Sequence, residues 1–174
     1  MRFNHPLSSV KFGSMTHTPF VDTYARVQVD CDCSAAFALM SDMERFPSFF
    51  TGFGPIPHVV RCELLTAMPV GVGTRRLITN GDGSALEEIV QVHETGKEQM
   101  YRIEKGFVPP FSLMIAAAEG HWRFEPKGER AQITWHYKFE LKSVLFKPIA
   151  WFIVHVLFKR AMQRCLENMK AAVA

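Results

Sequence analysis

The longest helical pattern in the sequence comes last. From Ser143 to Val173 apolar residues recur at about 100° per residue. Val144, Pro148, Trp151, His155, Phe158, Met162, Leu166, Met169 and Val173 therefore share one stripe. Ser143 stands where an N-cap belongs, Pro148 falls near the first turn, where a missing N–H costs least, and no later Gly or Pro interrupts the run. The opposite face begins apolar, with Phe146, Ala150, Ile153 and Leu157, and turns polar at Arg160, Arg164, Glu167 and Asn168. A helix greasy on both sides needs a second partner: a dimer contact, a membrane surface or a ligand. It cannot span a bilayer, because Lys147 and Lys159 bracket the apolar run and a span needs roughly 20 apolar residues.

Upstream the period is two. Asp22 to Cys31 alternates, with Ala25, Val27 and Val29 on one side, and predicts a half-buried first strand. From Ser34, read as a cap, a helical pattern carries Ala35, Ala36, Phe37, Leu39 and Met40; Asp42 caps a second short turn that ends before Gly52, Gly54, Pro55 and Pro57. Strands follow at His58–Thr66, with Val60, Cys62 and Leu64 inward, then at Thr74–Thr79, Ala85–Glu94 and Gln99–Lys105. Asn80-Gly81 and Asp82-Gly83 mark a hairpin, and Gly106 to Ser112 reads as a loop. A last hairpin puts Met114, Ala116, Ala118, Gly120, Trp122 and Phe124 on one face and Ile133, Trp135, Tyr137, Phe139 and Leu141 on the facing strand. A turn at Lys127 and Gly128 predicts Trp122 opposite Ile133, Gly120 opposite Trp135, Ala118 opposite Tyr137 and Ala116 opposite Phe139. The other face then pairs Glu119 with His136 and Arg123 with Gln132.

The expected fold class is α+β: about seven antiparallel strands, two short helices after the first of them, and one long C-terminal helix. A sheet with a single apolar face must curl round something, and that helix is the available object, with a cavity between the two.

Composition sharpens this picture in two places. Fifteen Phe and nine Met among 174 residues imply a large, adaptable apolar interior of the kind that also lines a hydrophobic-ligand cavity. A formal net charge of +3, with scattered Lys and Arg, argues against nucleic acid. The four cysteines, Cys31, Cys33, Cys62 and Cys165, lack the spacing of a zinc site or disulfide framework and are expected to be reduced, in a cytoplasmic protein. Residues 1–20 read as an N-terminal extension without signal-peptide character, Met15 being an alternative start, and residues 21–174 as one domain.

The segments SAAFALMSDMERFPSFF, VGVGTRRLIT, LEEIVQV and GHWRFEPKGERAQITWHYKFE, in this order and running into the final helix, resemble the SRPBCC/START-like superfamily. That superfamily also holds the birch-pollen allergen and the bacterial polyketide cyclase/dehydrase-like proteins. The resemblance covers Asp22 to Val173. It implies a helix-grip fold and a small hydrophobic ligand, with lipid carriers, aromatase/cyclases, hormone receptors and coenzyme Q-binding proteins among its members.

Candidate chemistry lies on the inward faces. Glu88 is in phase with Leu86, Val90 and Val92; in an apolar cavity its pKa rises, as a general acid or base requires, or else it pairs with Arg76 on the neighbouring strand. Tyr137 and Trp135 offer a phenol and an indole to a ligand carbonyl, and His155 sits among Trp151, Phe158 and Met162, as a cavity residue or a satisfied core histidine. The expected ligand wall is Arg76, Ala118, Trp122, Trp135, Tyr137, Phe139, Trp151, His155, Phe158 and Met162, with Glu88, Tyr137 and His155 as candidate acid–base groups. No histidine pair at metal spacing, phosphate-cradling loop or nucleophile elbow is found, so no metal or cofactor is expected. Phe146, Ile153 and Leu157 would carry a homodimer or membrane-surface contact.

Overall fold

The computed structural model describes residues 18–67 and 69–173, so most of the expected N-terminal extension, Met15 included, lies outside the described residues. The elements are β1 (Phe20–Val29), α1 (Cys33–Ser41), α2 (Phe46–Phe49), β2 (Val59–Leu64), β3 (Arg75–Asn80), β4 (Ala85–Glu94), β5 (Glu98–Lys105), α3 (Phe111–Met114), β6 (Ile115–Lys127) and β7 (Arg130–Leu141). The C-terminal helix follows in four pieces: a 3-10 turn (Val144–Phe146), α4 (Lys147–Phe152), a π-helical segment (Ile153–Phe158) and α5 (Lys159–Ala171).

The seven strands form one antiparallel sheet in the order β1-β7-β6-β5-β4-β3-β2. Their inward residues meet the C-terminal helix in one core, where Met162, Cys165, Leu166 and Met169 are completely buried. The helix-grip architecture is thus present. α1 packs on β6 and β7, and α2 lies between β2 and α5.

Four local expectations need correction. The cap of α1 is Asp32, whose carboxylate accepts from Ala35 N at 2.8 Å, so the helix starts before Ser34. In β2 a bulge between Val59 and Arg61 breaks the alternation: Val59 is buried and Val60 exposed. The expected loop after Gly106 closes into α3. The β6–β7 register is two residues from the expected one, because the turn is Gly128-Glu129, with Gly128 at φ +67 and Lys127 opposite Arg130.

A two-residue shift keeps every side chain on its face. Trp122 therefore opposes Trp135, Gly120 opposes Tyr137 and Ala118 opposes Phe139, while Glu119 and Arg123 on the other face oppose Lys138 and Thr134. The two indoles stack at 4.1 Å with their planes 14° apart. Ala116 is turned outward by a further bulge between Ile115 and Ala117.

The C-terminal helix departs most from its 100° pattern. Met162, Leu166 and Met169 face the core, but upstream the inward residues are Ala150, Ile153, Val154 and Phe158 rather than Trp151 and His155. Between the halves, Lys159 N–H donates to the Val154 carbonyl five residues back. Such a π turn acts as one inserted residue and rotates the first half by about 100° against the second. Phe146, Ile153 and Leu157, expected to face outward, instead pack against the core, and Trp151 is about half exposed. The three residues expected to carry a dimer or membrane contact are thus partly buried against the core, with much of their surface already covered.

Candidate functional site

Between the sheet and the helix lies a cavity of about 140 Å³. It is the size of the void left by an engineered large-to-small core substitution that accepts benzene. The helix contributes Ala150, Ile153, Val154 and Phe158; the segment leading into β6 contributes Phe107, Val108, Phe111, Met114 and Ile115. Phe46 and Phe50 close it from the α2 side, and Ile78, Leu86, Trp135, Tyr137, Phe139 and Leu141 come from the sheet. Thioether and aromatic side chains repack at low cost, so these walls can open for a larger guest.

Polar groups enter the wall in two places. The β3–β4 turn presents Asn80, Asp82 and Ser84, already bonded among themselves: Asn80 Nδ2 donates to Ser84 Oγ at 2.9 Å, and Ser84 Oγ donates to Asp82 Oδ1 at 2.6 Å. The sheet floor presents Glu88, Tyr101 and Tyr137. Glu88 faces Arg76 across the β3–β4 pairing, and Arg76 Nη2 donates to Glu88 Oε2 at 2.6 Å with both side chains buried.

Behind this pair, Gln99 satisfies both neighbours when its amide oxygen accepts from Arg76 Nη1 and Nη2, at 3.3 Å each, and its nitrogen donates to His93 Nδ1 at 3.0 Å. Arg76 also lies 5.5 Å from the centre of the Tyr101 ring. Tyr101 is accommodated because residue 120, opposite it on β6, is Gly: a Cβ there would run into the phenol ring.

Burial pushes the Glu88 carboxyl above the ordinary carboxylate range, and the Arg76 charge and hydrogen bond oppose this without cancelling it. Burial, and then the charges of neighbouring Tyr137 and Glu88, raise the Tyr101 phenol well above its ordinary value; burial and then Glu88 raise Tyr137. Both phenols therefore stay protonated as donors. Cys62 is pushed up to about 12, first by burial and then by Glu88, so it is a thiol rather than a nucleophile at neutral pH. Trp135 Nε1 is buried without a hydrogen-bond partner among the described residues. The floor thus combines two phenol donors and a carboxyl whose charge is disfavoured, within apolar walls.

The profile of the family described as "Polyketide cyclase / dehydrase and lipid transport" matches residues 21–174. The chain belongs to that family. No curated protein matches it in sequence. Several solved structures share its fold. Major latex-like protein 151 from Panax ginseng is 13% identical with a TM-score of 0.66, the match covering 88% of this chain and 97% of that one. A START superfamily protein from Mycobacterium smegmatis is 12% identical with a TM-score of 0.67, covering 87% and 96%. The di-domain ARO/CYC StfQ from the steffimycin biosynthetic pathway is 18% identical with a TM-score of 0.63, covering 88% of this chain and 51% of that one. At such identities the likeness is one of fold.

In this family member the expected wall residues divide. Trp135, Tyr137, Phe139 and Phe158 line the cavity together with Glu88. Ala118, Trp122 and Met162 are buried in the core without lining it, and Arg76 stands behind Glu88. Trp151 and His155 do not line it: their rings stack on each other at 4.6 Å and His155 Nδ1–H donates to the Trp151 carbonyl at 3.0 Å. The π segment that turns them away left no trace in the apolar period. Tyr101 was missed, although Gly120 within an otherwise apolar strand was the signal for a large neighbour. The residues from α2, the β3–β4 turn and α3 come from irregular chain, where periodicity says nothing about direction.

Proposed function

We propose that the protein binds a small hydrophobic molecule, of lipid, aromatic or polyketide-like character, between the sheet and the C-terminal helix. The apolar cavity carries this reading, with Glu88, Tyr101 and Tyr137 gathered on its floor. A guest buries its rings or chain against Phe46, Phe50, Phe111 and Phe158 and accepts a hydrogen bond at a carbonyl or hydroxyl oxygen from the floor. Arg76 is neutralised by Glu88, which favours a neutral head group over a carboxylate. A cytoplasmic setting is part of the proposal, supported by the four free cysteines.

Native mass spectrometry of the purified protein, followed by organic extraction, tests it. The expected result is one discrete bound molecule, lost in Ala150→Phe, which fills the cavity from the helix side. A well-folded protein that carries nothing and takes up no aromatic or polyketide-like probe would overturn the reading.

A second reading rests on the raised pKa of Glu88: a cyclase or dehydratase in which Glu88 exchanges a proton at the carbon beside a ketone while Tyr137 donates to its oxygen. His155 has no part in it. On a candidate poly-β-ketone substrate, Glu88→Gln removes one limb of the pH–rate profile if this reading holds. A rate equal to that of buffer for wild type ends it.

A further inference from the structure

The C-terminal helix has a second apolar face that the cavity does not use. Leu145, Ile149 and Phe152 recur at i, i+4 and i+7 and are 84%, 53% and 52% exposed. Val144 and Trp151 flank them, both more than half exposed. Leu113 of α3, also exposed, is held beside the start of this helix, since Lys142 N donates to the Met114 carbonyl at 2.9 Å and Lys142 Nζ to the Ser112 carbonyl at 2.7 Å. Six large apolar side chains thus face solvent at one end of the molecule.

The charges on the two segments that carry them have one sign. No Asp or Glu occurs between Glu140 and Glu167, or from Gly106 to Ala118, whereas Lys142, Lys147, Lys159 and Arg160 lie along the helical stretch. Among the described residues none of these four cations forms an ion pair, although Lys159 lies over the Tyr24 ring and Arg160 over the Phe53 ring. A second copy of the same face would bring cation against cation. An anionic, apolar-cored surface complements it in both respects.

We propose that the face formed by Leu145, Ile149, Phe152, Trp151 and Leu113 docks on the surface of an anionic lipid bilayer, with the first half of the C-terminal helix lying in the plane of the head groups. The helix does not cross: among the described residues no helix is long and apolar enough to do so. The opposite side of the same helix, at Ala150, Ile153 and Val154, is cavity wall, and so are Phe111 and Met114 of α3. Docking therefore brings two walls of the cavity to the lipid boundary, where an apolar guest is concentrated. The proposal does not depend on the guest, because it concerns the outer face.

Co-sedimentation with vesicles of phosphatidylcholine alone, and of phosphatidylcholine mixed with an equal part of phosphatidylglycerol, tests it. Wild type is expected to bind the mixed vesicles, more weakly as salt rises, and to leave phosphatidylcholine largely unbound. Leu145→Glu/Phe152→Glu and Lys147→Glu are each expected to weaken binding about tenfold or more while the circular dichroism spectrum and melting curve stay those of wild type. These positions are exposed, so the fold tolerates them. Failure of wild type to bind the mixed vesicles overturns the proposal, and so does binding that the Leu145→Glu/Phe152→Glu variant retains. A wild-type dimer in sedimentation velocity that this variant converts to monomer also overturns it, since the face would then be occupied by a second copy.

Discussion

Glu88 lies under two opposed influences that residue-scale experiments can separate. Burial disfavours its charge and the Arg76 guanidinium favours it, and burial prevails. A carboxyl whose native pKa exceeds its unfolded one contributes stability below the unfolded value and loses that contribution as pH rises through the native one. Arg76→Met removes the opposing influence, so the native value climbs further and the loss extends across a wider range above the ordinary 4.5. The variant should lose about 3–5 kcal/mol at neutral pH. Urea unfolding at about pH 5 and about pH 8 should show its stability falling with pH more steeply than that of wild type. Arg76→Met/Glu88→Leu should recover this loss, because two buried charges exchanged for apolar groups leave nothing unpaired. At Gly120 the argument is steric: Gly120→Ala meets the Tyr101 ring and should cost about 1–3 kcal/mol, with a less than additive effect when Tyr101→Ala is combined with it. Full additivity in that cycle would mean that the two sites do not press on each other.

Among the elements, the C-terminal helix makes the sharpest prediction. A π turn is an α-helix with one residue too many. Removing Val156, half-buried and outside the cavity wall, should restore a regular helix without rotating either flank. The shortened protein is expected to keep a cooperative melt close to that of wild type. Deletion of Arg164 from the regular α5 would swing the flanking half-helix by about 100° and should abolish folding. Equal loss of folding in both deletions would remove the π segment as the cause of the phase shift. The same segment explains what the sequence made legible. Strand β4 was readable from Leu86 to Val90, which keep a period of two, but a bulge between Val90 and Val92 sets His93 rather than Val92 opposite the buried Gln99; the downstream half of the helix was readable from Met162, Leu166 and Met169. Trp151 and His155 were misplaced because a 3.6-residue period assumes i→i−4 bonding throughout, and the inserted residue has no compositional mark. The cap is Asp32 and not Ser34, two residue types that a propensity ranking hardly separates. The cavity floor could be inferred from inward phase; the walls from α2 and α3 could not, since short irregular segments show no repeat.

On the scale of the whole molecule, the two faces of the sheet respond to acid in opposite senses. On the outer face Arg102 bridges three strands: Nη2 donates to Glu140 Oε2 at 2.9 Å, Nη1 to Glu119 Oε1 at 2.7 Å and Nε to Glu104 Oε1 at 2.7 Å. Its hydrogen bond to Glu140 holds that carboxyl below the usual range. The contribution of Glu140 is therefore present above the unfolded value of 4.5 and lost as pH falls through the native one, opposite in sign to that of Glu88. Melting temperature should peak on the mildly acidic side of neutrality. Glu140→Gln should flatten the acid limb alone, and a limb unchanged in that variant would show that other carboxylates govern it.

The order of the strands also sets a timetable. β1 is joined on its single paired side to β7, with Phe20 opposite Glu140 and Val29 opposite Ala131, so its partner is made more than a hundred residues later. At about 5–20 residues per second a ribosome needs on the order of ten seconds to bridge that gap. Until β7 has been made, the segment FVDTYARVQV has no partner for its ladder. The first strand of this sheet to be synthesised is thus among the last to be secured, and a nascent chain of this protein offers chaperones a long opportunity to hold it.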